Sequence, residues 1–355
     1  MHIEKGHSGI LNTMNRTLAV FLFLAVLSFG ARSLLAQSGG VGTELSMTIT
    51  PEHPRPGEAV TVSVESYNID LNRAEVRWFQ NDKLVKAGVG EKKLEAVVGQ
   101  GGELTSFRVV ALREDGGIYS TEARLRPAEV NLLWQAQSYT PPFYRGKALM
   151  PYQGTVLVAA IPSFARGESM LPPESLIYTW HEGDDVIGDS SGRGKNLFVF
   201  RGSVPLRTKT ISVTVESADQ SMVASASIDV APVAPRLLFY EEHPRFGILY
   251  GKALIQNFTF GGDETRISSI PYYFETDSKT GNDLSYDWEV NYAPMPSEKR
   301  SSLLLRRTTE SSGRSNLFLE ARSTDPEKSF QAAEERLMIT LPERPFGVPV
   351  GSVTP

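Results

Sequence analysis

Acidic side chains gather in one stretch of the sequence, where they could supply metal ligands. This stretch contains Glu182, Asp184, Asp185 and Asp189. Carboxylate oxygens are the ligands that Ca²⁺ prefers, but the spacing is not that of an EF-hand loop. Solvated turn residues are the alternative interpretation. We therefore predict no metal site and no other cofactor, and name Asp184, Asp185 and Asp189 as the residues that would hold calcium if the chain binds it.

The residues that zinc, disulfides and thiol chemistry require are scarce. The chain has no cysteine and five histidines, of which only His53, His181 and His243 follow the N-terminal segment. Disulfides, thiolate metal sites and a cysteine nucleophile are therefore excluded. Three scattered histidines also argue against a zinc site.

One short motif suggests a serine nucleophile. Gly188-Asp-Ser-Ser-Gly192 resembles the nucleophile loop of chymotrypsin-like serine proteases. Such an enzyme also needs a histidine base and an aspartate that orients it, and no histidine lies in a matching context. The motif fills the slot that Gly88–Gly90 occupies one repeat earlier, so we interpret it as a hairpin turn. We predict no catalytic residue, no cofactor-binding residue and no enzymatic activity.

A tryptophan that recurs at a nearly constant spacing divides the chain into three similar repeats. Trp78, Trp180 and Trp288 are separated by 102 and 108 residues, and each lies in a short strand-like run. A hydrophobic stretch follows each tryptophan, then an alternating stretch closed by an aspartate at offsets of 37, 39 and 37 residues: Asp115, Asp219 and Asp325. Self-similarity at a fixed period indicates a repeated module. We predict that the three tryptophans are equivalent core residues.

The local pattern predicts strands rather than helices. Short alternating runs are separated by Gly, Pro, Asn and Asp at regular spacing, which is typical of all-β sandwiches. A glycine next to an edge kink is aligned before the following strand in all three repeats, as Gly57, Gly146 and Gly251. The predicted fold is all-β, with three tandem sandwich domains at 44–128, 129–232 and 233–342.

The repeats resemble immunoglobulin-like modules of bacterial surface proteins. The polycystic-kidney-disease (PKD) type is the nearest, because Tyr178-Thr-Trp180-His-Glu-Gly183-Asp184 is similar to its tryptophan strand and Gly-Asp turn. The resemblance covers residues 44–342 and implies PKD-like β-sandwiches, some of which hold calcium near such turns. The first and third repeats lack the Gly-Asp-Gly turn.

The N-terminal segment predicts export. Lys5 and Arg16 precede the apolar run Leu18–Phe29, and small residues follow it. This run is short for a membrane span, so residues 1–36 are predicted to be a signal peptide, with an uncleaved signal anchor as the alternative. Residues 37–43 form a linker and 343–355 a Pro/Gly-rich tail. The protein is expected outside the cell or at its surface, with the periplasm left open.

Aromatic residues near the joints are candidates for a contact surface: Phe143, Tyr144, Phe246 and Tyr250. Exposed aromatic residues mark interfaces. Packing between adjacent modules is the alternative interpretation. The joints themselves are short and Pro-rich, as in Ala231-Pro-Val-Ala-Pro235, which favours an elongated rod.

Three classes of function remain open. The first is a structural or adhesive cell-surface protein, for example an accessory of a pilus, secretion system or surface layer. The second is an extracellular ligand- or glycan-binding module that uses aromatic or acidic patches near the joints, and the third is an enzyme. We favour the first, with a protein or cell-surface partner. The net charge of −5 gives no sign of nucleic-acid binding, and membrane contact is expected only through an uncleaved anchor.

The export prediction can be tested directly. The mature protein should begin between Leu34 and Gln37, because the apolar run and small residues before this point form a cleavage signal. N-terminal sequencing of the exported protein checks this. Recovery of Met1 or Met14 as the first residue would mean an uncleaved anchor instead.

Overall fold

The computed structural model describes residues 45–280, 282–296, 300–307 and 312–343. The predicted signal peptide 1–36, the linker 37–43 and all of the tail after residue 343 lie outside the described residues. Within them the chain is built of strands, with three short 3-10 helices at Pro173–Ser175, Gly188–Ser190 and Pro326–Lys328. The predicted all-β fold is confirmed. No helix in the described ranges is long and apolar enough to cross a bilayer.

The first sandwich consists of seven strands in two antiparallel sheets. In chain order these are β1 (Ser46–Thr50), β2 (Ala59–Glu65), β3 (Glu75–Gln80), β4 (Lys83–Val89), β5 (Lys93–Val97), β6 (Thr105–Leu112) and β7 (Ile118–Leu125). One sheet has the order β1-β2-β5 and the other β4-β3-β6-β7. Side chains such as Val62, Val76 and Phe107 meet between the sheets as a buried core.

The second sandwich repeats this plan with short additions. Its strands are β8 (Glu129–Ala136), β9 (Thr155–Ser163), β10 (Ala165–Arg166), β11 (Ser169–Met170), β12 (Ile177–Glu182), β13 (Asp185–Val186), β14 (Gly192–Arg193), β15 (Leu197–Arg201), β16 (Lys209–Glu216) and β17 (Val223–Val230). The sheets are β15-β9-β8 and β13-β12-β16-β17, while β14 also pairs with β12 and β10-β11 form a hairpin. A second separate core lies between them.

The third sandwich has larger sheets around a third core. Its strands are β18 (Arg236–His243), β19 (Gly247–Leu254), β20 (Gln256–Thr259), β21 (Glu264–Tyr272), β22 (Leu284–Val290), β23 (Ala293–Pro294), β24 (Ser302–Arg306), β25 (Gly313–Ser323) and β26 (Ala332–Leu341). The sheets are β19-β18-β21-β24 and β20-β26-β25-β22-β23. The added strand β20 pairs in parallel with β26, whereas the other pairs are antiparallel.

All three sandwiches share one connection pattern. From the strand that carries tryptophan (β3, β12 or β22), the chain crosses to the opposite sheet for β5, β15 or β24. It then returns to pair with the tryptophan strand through β6, β16 or β25. Alternate side chains face the core along these strands, as Phe107, Val109 and Ala111 do on β6, because the side-chain period of a strand is two.

The three tryptophans occupy equivalent buried positions. Trp78, Trp180 and Trp288 are almost completely buried, each in its own core. Their indole Nε1–H groups donate to the backbone carbonyls of Glu91, Lys195 and Arg300 at 2.8, 2.9 and 2.8 Å. A buried indole N–H needs such an acceptor. In each sandwich that acceptor lies two residues before the crossing strand begins.

The recurring aspartate anchors the turn that follows the alternating strand. Asp115, Asp219 and Asp325 each accept a hydrogen bond from the backbone N–H two residues later, at 3.1, 3.3 and 2.9 Å. Each also has a nearby cation, respectively Arg113, Arg166 and Lys328. Hydrogen bonds to the carboxylate hold the pKa of all three below its ordinary value. The repeated Asp is therefore an Asx-turn residue.

Two details of the sequence alignment are wrong. Gly57 does precede β2, but Gly146 lies in the loop before β9 and Gly251 lies inside the added strand β19. The residue before β9 that takes this place is Gly154. The domain boundaries stay predictions, although Ala128 packs into the second core.

Removal of one tryptophan tests its place in the core. We expect Trp78→Ala to lower the free energy of unfolding of the first sandwich by roughly 3–5 kcal/mol, because a large buried side chain is lost. Urea denaturation followed by circular dichroism measures this. Trp134→Ala is the control, since Trp134 is only partly buried beneath Lys147, whose Nζ lies 3.4 Å from the ring centroid. Equal losses in the two variants would contradict the assignment.

Candidate functional site

The clearest cluster of predicted site residues lies where the second sandwich meets the third. The chain between β8 and β9, residues 137–154, forms a long loop that reaches the third sandwich. Its Tyr139 N–H donates to the Phe274 carbonyl at 2.8 Å, and Ala136 N–H donates to Ala148 O at 3.0 Å where the loop returns. We call this contact region the junction; it comprises loop 137–154, Thr155 at the start of β9, and the residues of the third sandwich that touch them.

Aromatic rings from both sandwiches meet at the junction. The Phe143 and Tyr250 ring centroids lie 6.3 Å apart, as do those of Tyr144 and Tyr272. The Tyr240 and Tyr272 hydroxyls are 2.9 Å apart. Leu237 and Phe239 point into the core of the third sandwich, so Tyr240 lies on the outer face of β18. It is nevertheless buried.

Three of the four candidate contact residues are therefore brought together, and the fourth is placed elsewhere. Across the junction Phe143 faces Tyr250, and Tyr144 faces Tyr272. Phe246 lies in the turn between β18 and β19 and stacks on His243, with centroids 4.7 Å apart. Packing between adjacent sandwiches thus accounts for Tyr144 and Tyr250. Phe143 keeps most of its surface exposed.

Polar contacts form a second part of the junction. Glu275 Oε2 accepts from Thr155 N–H at 3.1 Å, and its Oε1 accepts from the Thr155 hydroxyl at 3.0 Å. The fully buried Gln331 donates through Nε2 to Tyr152 O and accepts from Glu275 N–H through Oε1, both at 2.8 Å. Lys328 lies 3.6 Å from Glu275. These bonds satisfy polar groups that burial would otherwise leave unpaired, which is costly.

One ion pair extends the polar contact at the margin. Arg201 at the end of β15 donates to Glu327 at 2.5 Å. Both side chains are substantially exposed, so the pair adds little stability by itself. The buried contacts at Glu275 and Gln331 therefore hold the junction. Neither residue carries a sequence signal, because its partner in the second sandwich lies more than 100 residues away in the chain.

Burial in the junction changes the acidity of its tyrosines. Desolvation raises the pKa of Tyr250 to about 12, with smaller contributions from Tyr139 and Tyr240. It also raises the pKa of Tyr139, Tyr144 and Tyr272. These phenols therefore stay neutral to a higher pH than exposed tyrosines do.

The first and second sandwiches meet at a tighter backbone contact. Gly102 has φ of +79°, and a Cβ atom there would lie 2.1 Å from the Ala165 carbonyl oxygen. Its N–H donates to Pro127 O at 3.0 Å, and its carbonyl accepts from Arg126 at 3.1 Å. Only glycine fits this conformation at this distance.

The calcium candidates and the serine motif lie in turns of the second sandwich. Among the described residues no three His, Asp or Glu side chains are grouped to hold a metal ion. Asp184 and Asp185 lie in the β12–β13 hairpin, and Asp189 lies in the 3-10 helix that follows. Ser191 Oγ donates to Ile187 O at 2.8 Å and accepts from Trp180 N–H at 2.9 Å. The Gly188–Gly192 motif thus serves a turn beside the core tryptophan.

Comparisons with known proteins concern the fold. No known family matches the sequence, and no curated protein matches it. Among solved structures, the three N-terminal domains of the bacteriophage RB49 highly immunogenic outer capsid protein are similar at 13% identity and a TM-score of 0.26, covering 84% of this chain and 98% of that one. Fibronectin(III)-like modules of Clostridium thermocellum CbhA match at 13% identity and a TM-score of 0.26, over 53% and 94%.

A third similar structure is that of Sidekick-1 immunoglobulin domains 1–4. It matches at 13% identity and a TM-score of 0.19, over 84% of this chain and 75% of that one. The fold is immunoglobulin-like. That assignment follows from the paired sheets and their crossing pattern. The narrower PKD assignment stays a prediction.

The tyrosine cluster can be tested by alkaline titration. Because the pKa of Tyr250 is raised from 10 to about 12, its contribution to stability should be intact below pH 10 and should decline as the pH approaches 12. Phenolate absorbance should show tyrosines that remain neutral at pH 11, with one fewer in Tyr250→Phe. Complete titration of the wild-type tyrosines by pH 11 would contradict this.

Proposed function

We propose that this chain is an exported structural or adhesive protein whose tandem sandwiches hold a contact surface away from its point of attachment. The junction between the second and third sandwiches is the observation that supports this most directly. A protein that spaces or bears load must resist bending between its domains. Domains joined only by a flexible linker move relative to one another by default.

Two features of the junction favour a stiff connection. The aromatic contacts remove apolar surface from water, which is favourable in proportion to the area buried. The Glu275 and Gln331 hydrogen bonds are directional, so they specify one relative orientation. Gly102 supplies a close contact on the other side of the second sandwich. The chain thus has defined contacts at both ends of its central sandwich.

The expected location follows from the predicted signal peptide at residues 1–36. The partner would be a protein or another component of the cell surface. The narrower role, as an accessory of a pilus, secretion system or surface layer, is part of this proposal. A glycan site built from the joint aromatics has less support, because these rings pack on one another: Tyr144 contacts Tyr272, and both Tyr250 and Tyr272 contact Tyr240.

Small-angle scattering on the mature protein tests the proposal. A compact protein of 300 residues has a radius of gyration of roughly 19 Å, and an elongated arrangement should give a value well above that. The variant Glu275→Ala/Gln331→Ala should broaden the distance distribution, because the hydrogen bonds that both side chains make across the junction are lost. Gln80→Ala is the matched control, since Gln80 bonds to Val97 O within the first sandwich.

Two results would contradict the proposal. A wild-type radius near the compact value would exclude the elongated spacer. An unchanged distance distribution in Glu275→Ala/Gln331→Ala, with both sandwiches still folded by circular dichroism, would mean that the junction does not stiffen the chain. Antibody labelling of intact cells tests exposure at the cell surface separately, and labelling only after lysis would mean that the protein is not exposed there.

A further inference from the structure

The third sandwich carries a groove on the outer face of its five-stranded sheet, far along the chain from the junction loop. Its lining combines aromatic rings with charged and amide side chains: Gln256, Glu289, Tyr292, Asn316, Phe318 and Arg336. The core lies on the opposite face of the same strands, where Leu319 and Leu337 are buried.

Cross-strand pairing brings the central groups of the groove together. Glu289 on β22 is directly paired with Phe318 on β25, which is paired with Arg336 on β26. The Arg336 guanidinium lies 5.1 Å from the centroid of the Phe318 ring. One row across the sheet therefore presents a carboxylate, an aromatic ring and a guanidinium.

The first sandwich provides an internal comparison at the same place. Phe79 follows Trp78 as Glu289 follows Trp288, and it pairs with Arg108 on the neighbouring strand. Arg108 lies 4.3 Å from the Phe79 ring centroid and 3.4 Å from Asp82 in the adjacent turn. In the first sandwich the Arg108 guanidinium therefore contacts both the aromatic ring and the carboxylate.

The turn beside the groove differs between the first and third sandwiches at one of its two central positions. Asn81 and Asn291 play the same part, since the side-chain oxygen of each accepts a backbone N–H from the next core strand at 2.9 Å. The residue that follows is Asp82 in the first sandwich and Tyr292 in the third. The third sandwich therefore places a ring where the first places a carboxylate.

Tyr292 is in an unfavourable conformation and gains little from burial. Its φ is +67°, and its side chain is 81% exposed. Hairpin positions with positive φ favour Asn, Asp or Gly, and a bulky residue there is an outlier. Such an outlier points to a function outside the fold's own stability. The ring stands at the groove, where a ligand could contact it.

We propose that this groove binds a neutral oligosaccharide. Sugar rings present C–H faces that pack on aromatic rings, whose faces are electronegative. Their hydroxyl groups both donate and accept, which suits Glu289 as an acceptor, Arg336 as a donor, and Asn316 and Gln256 as both. One carboxylate and one guanidinium balance the charge in the groove, which favours an uncharged ligand. This inference goes beyond the proposed function, since a spacer needs no such groove.

Isothermal calorimetry on the full mature chain tests the proposal, with cellohexaose as the neutral probe and a hyaluronan hexamer as the anionic one. We expect cellohexaose to bind and hyaluronan not to bind. Tyr292→Asn should weaken cellohexaose binding by about tenfold or more, a loss of roughly 1.4 kcal/mol. The melting temperature should stay unchanged or rise, because Asn suits the turn. Tyr67→Asn is the control, since Tyr67 is a fully exposed tyrosine in the first sandwich.

Each other outcome overturns the inference. Equal binding by Tyr292→Asn and wild type would mean that the ring is not part of a site. A lower melting temperature with unchanged binding would make Tyr292 structural. Binding of hyaluronan alone would refute the neutral ligand, and a groove that takes only apolar peptides from a peptide array would be a protein-binding surface. None of these results bears on the scattering test, which depends on the junction.

Discussion

A buried indole N–H group that must find an acceptor organises each sandwich. Tryptophan fills the space between two sheets, but burial of its N–H without a partner would cost free energy. In all three sandwiches the partner is a backbone carbonyl two residues before the strand that crosses to the opposite sheet: Glu91, Lys195 and Arg300. The same hydrogen bond thus fixes both the ring and the start of that strand.

This constraint explains why the spacing after each tryptophan is nearly constant while other connections vary. The loop between β1 and β2 spans residues 51–58, whereas the corresponding loop of the second sandwich spans residues 137–154 and reaches the next sandwich. In the third sandwich the same interval forms the two added strands β19 and β20. The largest difference in length lies in a connection that does not contribute the tryptophan's acceptor. The longer connection of the second sandwich, residues 137–154, forms its side of the junction.

The repeated plan also allows the sandwiches to diverge on their surfaces. On this face of the first sandwich, Arg108 contacts both Phe79 and Asp82. The same face of the third sandwich has a groove lined by Glu289, Phe318 and Tyr292. The cores remain alike because packing between sheets restricts them. Outer faces and turns are freer to change, as is usual where a rigid scaffold carries function.

Much of the architecture could be predicted from local patterns. Alternating hydrophobicity, the recurring tryptophans and the turn aspartates can all be recognised along the chain, so an all-β chain of repeated sandwiches could be predicted without the structure. It also indicated aromatic residues near the joints. It misplaced Gly146 and Gly251, since a recurring Gly-Lys-Ala-Leu stretch looked like one strand start in both repeats.

The contacts between sandwiches could not be predicted from the sequence and are seen only in the tertiary structure. Glu275 meets Thr155 across 120 residues of chain, and Gln331 meets Tyr152 across 179. Tyr292 shows its significance only through its φ angle and the Phe318 ring on the neighbouring sheet strand. Periodicity along the chain reports which side of its own strand a residue faces. It does not report what a neighbouring sandwich places against that face, because this depends on the relative positions of whole folded units.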